Sequence, residues 1–422
     1  MTVLCHRPAV FRYTGLRFRL RLSQPNILKP LVISDFTSVN ALGRGRAATF
    51  AALRDGRCGL RRNDFETVAL DTWIGRVDGL EDEPVNGELA QFDCRNNRLA
   101  RAGLAQDGFD RSVARARERY GAHRIAVLIG TSTSGIHETE LAYRARDPQT
   151  GALPSTFRYR YSHNVFAAAD FVRRYLRLQG PAAAISTACS SSAKVFACAS
   201  RWLEAGLADA AVVGGVDSLC LTTLCGFNSL ELVSPDVCRP CDIARAGISI
   251  GEAAGFALLE RGGAGEGELA LAGFGESSDA YHMSAPHPEG EGAYLAMREA
   301  LARAGLQPAD VGYVNMHGTA TPANDRCEDA ALYRIFGADV PCNSTKGWTG
   351  HTLGAAGITE AVIAGLCLQH DFIPASLNTK QLDPTLKSHI ALHAESRTLR
   401  YVLSNSFGFG GNNCSLVLGR TH

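Results

Sequence analysis

The chain has 422 residues, 45% of them hydrophobic, so it can bury more core than one ordinary domain of about 100–200 residues. Its 43 basic and 42 acidic residues give a formal net charge of +1, which argues against a surface dedicated to nucleic acid or to a membrane. No apolar run approaches the roughly 20 residues that a membrane span needs. We therefore predict a large folded protein without a membrane span.

The first thirty residues differ from the rest of the chain. They contain five arginines and one lysine but no acidic residue, and the first carboxylate is that of Asp35. An organelle transit peptide would also be rich in serine, and only Ser23 is present. We expect residues 1–30 to be a disordered basic tail or the product of a start codon placed too far upstream, with folded sequence from Leu31.

Residues 31–266 alternate short apolar runs with helical stretches, which is typical of an α/β protein. The runs lack polar alternation, so we expect a sheet covered on both faces. The predicted strands are LVISDFTSV (31–39), RIAVLIGTSTSG (124–135), AAAISTACS (182–190), ADAAVVGGVDS (208–218) and AAGFALLE (253–260). The predicted helices include SVARARERYG (112–121) and AKVFACASRWLEAGLA (193–208).

A turn-rich seam, RGGAGEGE (261–268), precedes a second series of the same kind in residues 267–422. Strands are predicted in LALAGFGESSD (269–279), VGYVNMHGT (311–319) and VPCNSTK (340–346), and helices in GAYLAMREALARAGL (292–306), from Asp325, and in GAAGITEAVIAGLCLQH (354–370). RYVLSNSFGFGG (400–411) and NNCSLVLG (412–419) are typical of two antiparallel strands. Two halves that each open with a strand suggest an internal duplication.

Cys189 lies where a predicted strand runs into three serines and a helix. A thiol at such a junction faces the unpaired N–H groups of the helix, where a thiolate is stabilised and a substrate can reach it. The alternative is a small buried core cysteine, which is the commoner fate of this residue. The other twelve of the 13 cysteines follow no framework spacing, and we expect free thiols in a reducing compartment such as the cytoplasm.

Two histidines follow predicted strands in turns rich in glycine and threonine. His317 lies in YVNMHGTATP and His351 in STKGWTGHTLGAAG, at strand ends where open α/β sheets carry function. Lys346 precedes His351 by five residues, and a buried lysine there would need a partner, for which Glu360 is the candidate. Each of these residues taken alone could equally be structural.

Three further motifs are weaker. NSFGFGGNN (405–413) leads from strand to strand, so it fits an oxyanion-binding turn better than a phosphate loop. Cys238 and Cys241 form a CxxC without a second metal-ligand pair, and we expect no metal. HETE (137–140) lacks the HExxH spacing and is interpreted as the start of a helix.

Taken together, the motifs resemble the β-ketoacyl-acyl-carrier-protein synthases, and most closely the elongating type I and II enzymes. The matching stretches are TACSSSA (187–193), SSDAYHMSAP (277–286), NMHGTATP (315–322), STKGWTGHTLGAAGITE (344–360) and SNSFGFGGNN (404–413). The resemblance implies an α/β thiolase-like fold with duplicated βαβαβαββ halves in a layered αβαβα arrangement. The halves would be residues 31–266, with the nucleophile, and 267–422, with both histidines.

The resemblance also implies residue roles. Cys189 would hold the acyl chain, while His317 and His351 would stabilise the enolate left when a malonyl thioester loses carbon dioxide, with Lys346 and Glu360 tuning both rings. The remaining implied positions are the oxyanion and gating residues Phe407, Gly408, Phe409 and Gly410, the pantetheine-binding Thr319 and Thr321, the channel residue Ser284, and Thr133, which would limit the depth of the acyl pocket.

The implied partners are acyl carrier proteins bearing acyl and malonyl groups, with no cofactor. We expect a homodimer, or a heterodimer with a related subunit, and Arg57, Arg61 and Arg62 are candidates for carrier docking. Departures such as Arg245-Ala246-Gly247-Ile248 leave fatty-acid elongation and specialised polyene-type elongation both open. A non-catalytic subunit resembling a chain length factor, and a thioester hydrolase or acyltransferase on the same fold, are the alternatives.

Overall fold

The computed structural model describes residues 27–66, 68–262 and 268–420. Most of the expected basic tail, residues 1–26, and residues 263–267 of the seam therefore lie outside the described residues. The first described residues lie against the body of the protein, since the backbone N–H of Leu28 donates to the carbonyl oxygen of Arg303 at 2.7 Å.

Strands alternate with helices along both halves of the described chain. The strands are β1 Leu31–Asn40, β2 Gly43–Arg44, β3 Arg61–Arg62, β4 Trp73–Gly75, β5 Ile125–Gly130, β6 Ala182–Ile185, β7 Ala210–Asp217, β8 Ile250–Gly251, β9 Ala253–Glu260, β10 Leu269–Ser278, β11 Tyr313–Asn315, β12 Cys342–Asn343, β13 Phe372–Ile373, β14 Glu395–Ser396, β15 Tyr401–Gly408 and β16 Asn412–Arg420. The helices are α1 Arg46–Asp55, α2 Arg95–Leu104, α3 Phe109–Tyr120, α4 Ile136–Arg144, α5 Phe166–Tyr175, α6 Ser191–Glu204, α7 Leu221–Ser229, α8 Glu291–Ala304, α9 Pro322–Phe336, α10 Lys346–Thr349 and α11 Ala356–His370.

The two halves of the chain build five-stranded arrays of the same topology. In the first half β6, β5 and β7 are parallel neighbours, followed by antiparallel β9 and β1. In the second half β12, β11 and β15 are parallel, followed by antiparallel β16 and β10. Counted along each half, both arrays have the strand order 3-2-4-5-1, which confirms the predicted duplication. The arrays join through a short pairing of β1 with β10.

Helices cover both arrays in layers. Helices α2, α3 and α5 pack on the outer face of the first array, and α8, backed by α9, packs on the outer face of the second. Helices α6 and α11 contact strands of both arrays and lie between them. Every residue of β5 and β7 is buried, as expected for strands covered on both faces. The layered αβαβα arrangement is therefore confirmed.

One stretch has the length and composition of a membrane-crossing helix. Leu353–His370 has a mean hydropathy of 1.2 over 18 residues, but 89% of it is buried inside the fold. It ends in α11, whose apolar residues face both strand arrays rather than one, so its composition follows from its central position.

The two central helices approach closely through a glycine. A methyl group on Gly357 of α11 would lie 2.5 Å from the backbone nitrogen of Ala193 and 2.8 Å from its Cβ, near the start of α6. Real Cβ atoms do not approach backbone this closely, so the helices would have to separate. The contact matters for the site because α6 begins two residues after Cys189.

We expect Gly357→Ala to lower the free energy of unfolding by about 1–3 kcal/mol, since overpacking forces the backbone to shift. Denaturant unfolding followed by circular dichroism measures the change. Gly226→Ala in α7 is the matched control, because a Cβ there meets nothing within 4 Å. Equal stability of the two variants would contradict the packing argument.

Candidate active site

Cys189 lies in a tight turn between β6 and α6. Ala188 has a φ of 51°, a left-handed conformation that is unusual for a residue with a side chain. The hydroxyl of Ser191 closes the turn by donating to the carbonyl oxygen of Ala188 at 2.5 Å and accepting from the N–H of Thr187 at 2.9 Å. The Cys189 side chain is thereby held at the start of α6, with only 5% of the residue exposed.

His351 lies against the sulfur of Cys189. Its Nε2 is 3.1 Å from Sγ, and its Nδ1 accepts a hydrogen bond from the backbone N–H of Leu353 at 3.1 Å. A neutral imidazole carries one proton, so accepting at Nδ1 places the proton on Nε2. His351 therefore presents an N–H donor to the sulfur.

His317 has the same tautomer for a different reason. The ammonium nitrogen of Lys346 lies 3.3 Å from Nδ1 of His317 and can only donate, so Nδ1 accepts and Nε2 carries the proton. The rings of His317 and His351 meet edge to face with centroids 5.4 Å apart. Burial, and then the charge of Lys346, lower the pKa of both histidines well below the ordinary value. Both rings are neutral N–H donors at neutral pH.

Lys346 is buried and makes two further contacts. Its ammonium donates to the carbonyl oxygen of His317 at 2.5 Å and pairs with the carboxylate of Glu360 on α11. Burial raises the pKa of Glu360 to about 7, and the charge of Lys346 opposes the rise. The structure thus brings together the lysine and glutamate that the sequence paired.

A second buried carboxylate holds the His317 turn. Glu328 on α9 accepts from the backbone N–H groups of His317 at 2.8 Å and Gly318 at 2.7 Å, and from the side-chain amide of Asn405 at 3.1 Å. Burial raises the pKa of Glu328 to about 7, although these hydrogen bonds oppose the shift. Because Asn405 lies on β15, this carboxylate joins the histidine turn to the strand that leads into the glycine turn.

Burial also dominates the chemistry of the thiol. It raises the pKa of Cys189 to about 11, against the opposing charge of Lys346 and the backbone N–H of Phe409. The sequence predicts a thiolate stabilised by the helix start, whereas burial of the sulfur favours the protonated thiol in the resting site. The expectation of a readily ionised sulfur is therefore wrong for the resting site.

A cavity of about 370 Å³ opens onto the sulfur and both imidazoles. Its lining includes most of the predicted residues: Cys189, Ser284, His317, Thr319, Thr321, His351, Phe407, Gly408, Phe409 and Gly410. It also includes apolar side chains that the sequence analysis did not select: Phe227, Leu232 and Ile248. The cavity is large enough for a flexible chain, and its walls are mainly apolar.

The glycine turn, residues 408–411, lies directly against the turn that carries Cys189. A Cβ on Gly408 would be 2.7 Å from the carbonyl oxygen of Thr187 and 3.3 Å from the backbone nitrogen of Cys189, so only glycine fits this approach. Gly410 and Gly411 follow with φ values of 79° and 72°, which favour glycine.

Thr133 does not join this cavity. Its hydroxyl donates to the carboxylate of Asp217 at 2.8 Å, and it is absent from the cavity lining. Asp217, at the end of β7, also accepts from Thr131 at 2.6 Å and from the backbone N–H of Gly354 at 2.6 Å. In this structure Thr133 ties the β5 turn to the start of the central helix.

The trio of Cys189, His317 and His351 offers potential ligand atoms within 4.8 Å of one another. A metal-bound histidine normally donates its other ring N–H to a carboxylate or carbonyl oxygen. Here the other ring nitrogens accept from Leu353 and Lys346, so binding a metal through Nε2 would require an Nδ1 proton facing another donor. The residues fit a pair of N–H donors and do not fit a metal ion.

Sequence reasoning missed Asp217, Glu328 and Phe227. Asp217 carries a usable signal, a carboxylate at the carboxyl end of a buried strand. Glu328 and Phe227 lie on helices and meet the site only through the fold, so no local pattern identifies them.

Comparison with known proteins identifies the family. Residues 41–264 match the family described as Beta-ketoacyl synthase, N-terminal domain, and residues 269–380 match Beta-ketoacyl synthase, C-terminal domain. The 3-oxoacyl-[acyl-carrier-protein] synthase 2 of Rhizobium meliloti (strain 1021) is 37% identical over 312 residues, which cover 70% of this chain and 73% of that protein. The mitochondrial 3-oxoacyl-[acyl-carrier-protein] synthase of Arabidopsis thaliana is 33% identical over 92% of both chains.

A solved structure, a ketosynthase (ApeO) in complex with its chain length factor (ApeC) from Xenorhabdus doucetiae, has a TM-score of 0.84 and 40% identity, covering 93% of this chain and 98% of that chain. The chain belongs to the β-ketoacyl synthase family, which confirms the resemblance seen in its motifs. It is accordingly an acyltransferase of the condensing class, and the alternative of a non-catalytic subunit is not favoured.

We expect ¹⁵N-histidine NMR to show His317 and His351 as neutral Nε2–H tautomers while the pH falls through the ordinary histidine pKa of about 6.5. In Lys346→Met the repelling charge is removed, so the pKa of both rings should rise. Titration of either ring near 6.5 in the unmodified protein would contradict the assignment.

Proposed function

We propose that the chain elongates acyl chains by decarboxylative Claisen condensation of a Cys189-bound acyl group with malonyl-acyl carrier protein, releasing β-ketoacyl-acyl carrier protein and CO2. The observation that carries the proposal is the pair of neutral Nε2–H donors, His317 and His351, converging beside one sulfur in a single cavity. The carrier-protein substrates named for the relatives from Rhizobium meliloti and Arabidopsis thaliana support it.

In the acylation step the sulfur of Cys189 attacks the carbonyl carbon of an acyl thioester. A carbon–sulfur bond to Cys189 forms, the bond to the carrier's pantetheine sulfur breaks, and the proton of the Cys189 thiol passes to the departing thiolate. The backbone N–H groups of Cys189 and Phe409 would donate hydrogen bonds to the carbonyl oxygen as it becomes negatively charged. The raised pKa of the resting thiol implies that ionisation accompanies substrate entry rather than preceding it.

In the condensation step the malonyl carbon–carbon bond breaks and CO2 departs. The electron pair left behind is held as an enolate, whose oxygen accepts from the Nε2–H groups of His317 and His351. The enolate carbon then attacks the acyl carbonyl, a carbon–carbon bond forms, and the Cys189 sulfur leaves as a thiolate that takes up a proton from solvent to restore the resting thiol. Both imidazoles act as donors throughout, which their lowered pKa values favour.

The cavity would bind the two ends of the substrate differently. Thr319 and Thr321, whose hydroxyls lie 2.9 Å apart on the lining, would bind the polar pantetheine arm, with Ser284 on the opposite loop. Phe407 and Phe409 would gate the apolar end. Because aromatic rings suit flat conjugated chains, we propose polyenoyl or aryl-capped primers over saturated ones.

The three arginines suggested for carrier docking, Arg57, Arg61 and Arg62, all have a carboxylate nearby. Arg61 pairs with Asp78 at 2.7 Å and with Asp64 at 3.2 Å, and Arg62 pairs with Asp71 at 2.7 Å. These carboxylates would compete with an acidic carrier protein for Arg61 and Arg62, although exposed ion pairs of this kind are weak.

We propose a homodimer formed through the free edge of β6, located in the cytoplasm, where the free cysteines found throughout the described residues are stable. Exposed apolar side chains support the interface: Leu141 and Tyr143 on α4, Tyr159, and Val165 and Phe166 at the start of α5, which packs on β6. The chain length factor of the Xenorhabdus doucetiae ketosynthase makes a heterodimer the competing arrangement.

Purified enzyme should condense malonyl-carrier protein with polyenoyl or aryl primers faster than with saturated ones, as measured by mass spectrometry of carrier-bound products. Cys189→Ala should lose the acyl adduct and all condensation. His317→Ala and His351→Ala should keep the adduct but condense roughly 10²–10³-fold more slowly, because each removes one enolate donor.

Cys225→Ser, which alters an exposed cysteine, is the matched control and should retain full activity. Acyl transfer to other thiols without loss of CO2 would contradict condensation and favour a simple acyltransferase. A faster reaction with saturated primers would overturn the proposed chain class alone.

Light scattering should give the mass of a dimer, and Tyr159→Asp with Phe166→Asp should give a monomer, because the new charges would be buried at the interface. Leu207→Asp, at another exposed apolar side chain, is the control and should stay dimeric. A monomer that associates only with a second ketosynthase-like subunit would overturn the homodimer.

A further inference from the structure

Helix α7 forms one wall of the cavity but has little packing of its own. Of its nine residues only Leu224 is fully buried. Phe227 is half-buried, lines the cavity, and packs against the gate residue Phe409 with ring centroids 5.6 Å apart. Any shift of α7 therefore changes the space between Phe227 and Phe409.

The N-terminus of α7 is capped by a residue from another helix. The residue before it, Cys220, makes no capping bond to the backbone N–H groups. Instead Glu140 of α4 accepts from the N–H and hydroxyl of Thr222, both at 2.6 Å, and from the N–H of Leu221 at 3.0 Å. A carboxylate here satisfies unpaired N–H groups and lies at the positive end of the helix dipole.

Glu140 is itself held in place. Its second oxygen is 3.1 Å from Nδ1 of His137, whose Nε2 lies 3.4 Å from the carboxylate of Glu66. Burial alone would raise the pKa of Glu140, but hydrogen bonds from His137 and Thr222 outweigh it and lower the pKa to about 2. The cap is thus a fixed, charged group at physiological pH. Glu140 and the two residues that hold it in series, His137 and Glu66, lie outside the cavity lining.

We propose that Glu140, held by His137, is a positioning residue that fixes α7 and thereby sets which acyl chains fit between Phe227 and Phe409. The proposal rests on the proposed function, because it concerns the acyl chain that Cys189 receives. It assigns chain selectivity partly to a carboxylate that does not touch substrate. The carboxyl-terminal part of the HETE motif therefore acts through α7 rather than through chemistry of its own.

The consequence of removing the charge follows from the donors around it. In Glu140→Gln one carboxylate oxygen becomes an NH2 group, so either the N–H of Leu221 or the N–H of Thr222 loses its acceptor, since the two donate to different oxygens. The start of α7 loses a hydrogen bond to a charged acceptor. Leu224, with the partly buried Leu221 and Phe227, is then left to hold the helix against the core. Phe227 can then move away from Phe409 and admit longer chains. His317 and His351, which act on the malonyl group, are unaffected.

The test measures acylation of Cys189 by intact-protein mass spectrometry with carrier-bound primers of increasing length. Glu140→Gln should raise the ratio of long-primer to short-primer acylation rates about tenfold, which corresponds to about 1.4 kcal/mol. Malonyl decarboxylation should stay at the wild-type rate. Glu138→Gln on the same helix is the matched control, since Glu138 faces a different cavity and should leave the ratio unchanged.

A double-mutant cycle with Phe227→Leu tests the route of the effect. If Glu140 acts through Phe227, Glu140→Gln changes the primer ratio in the wild-type background but not in Phe227→Leu. An unchanged ratio in folded Glu140→Gln, or an equal change in both backgrounds, overturns the proposal. If Glu140→Gln does not fold, Thr222→Val, which removes one donor, should give a smaller shift in the same direction, and no shift overturns the proposal.

Failure of the proposed function is distinguishable from failure of this inference. If the wild-type protein accepts no primer, the elongation assignment fails. Hydrogen exchange of the α7 amides still tests the cap, because exchange at Leu221 and Thr222 should be faster in Glu140→Gln than in Glu138→Gln. Equal exchange in the two variants overturns the anchoring role.

Discussion

The buried ammonium of Lys346 is the interaction on which the rest of the site depends. It donates to Nδ1 and to the carbonyl oxygen of His317, and it pairs with Glu360. An ammonium has no acceptor, so it fixes the His317 tautomer, and its charge disfavours protonation of His351 as well. Glu360 makes the buried charge tolerable, since an unpaired ammonium in this site would be costly.

The same burial that keeps the imidazoles neutral works against the thiol. Cys189 and the two histidines are buried around one cavity, and desolvation disfavours the charged form of each group: thiolate in one case, imidazolium in the others. A site optimised for neutral donors therefore starts with a protonated sulfur. The site needs an ionisable thiol and two neutral imidazoles. The positive charge of Lys346 favours both, because it lowers the pKa of the thiol and of both rings.

The sequence predicted most of what is determined locally. Apolar runs and glycine-rich turns located the central strands, and the junction TACSSSA located the turn that presents Cys189. Three placements needed the folded structure. Thr133 bonds to Asp217 rather than facing the cavity, Glu328 meets the His317 turn from a helix, and Glu140 was interpreted only as part of a helix start. Each depends on a partner that sequence spacing does not reveal, because the contact is between elements packed by the core.

The duplicated topology explains why the site requires both halves. Cys189 follows a parallel strand of the first array, whereas His317 follows a parallel strand of the second, and each array alone supplies only one kind of group. The two are brought together by the central helices, which begin beside the nucleophile turn and after His351. The glycine contact of Gly357 with Ala193 sets how closely those helices approach, and so the separation of sulfur and imidazole follows from packing in the core. The geometry of the reaction therefore depends on small residues at the helix contact as well as on the groups that react.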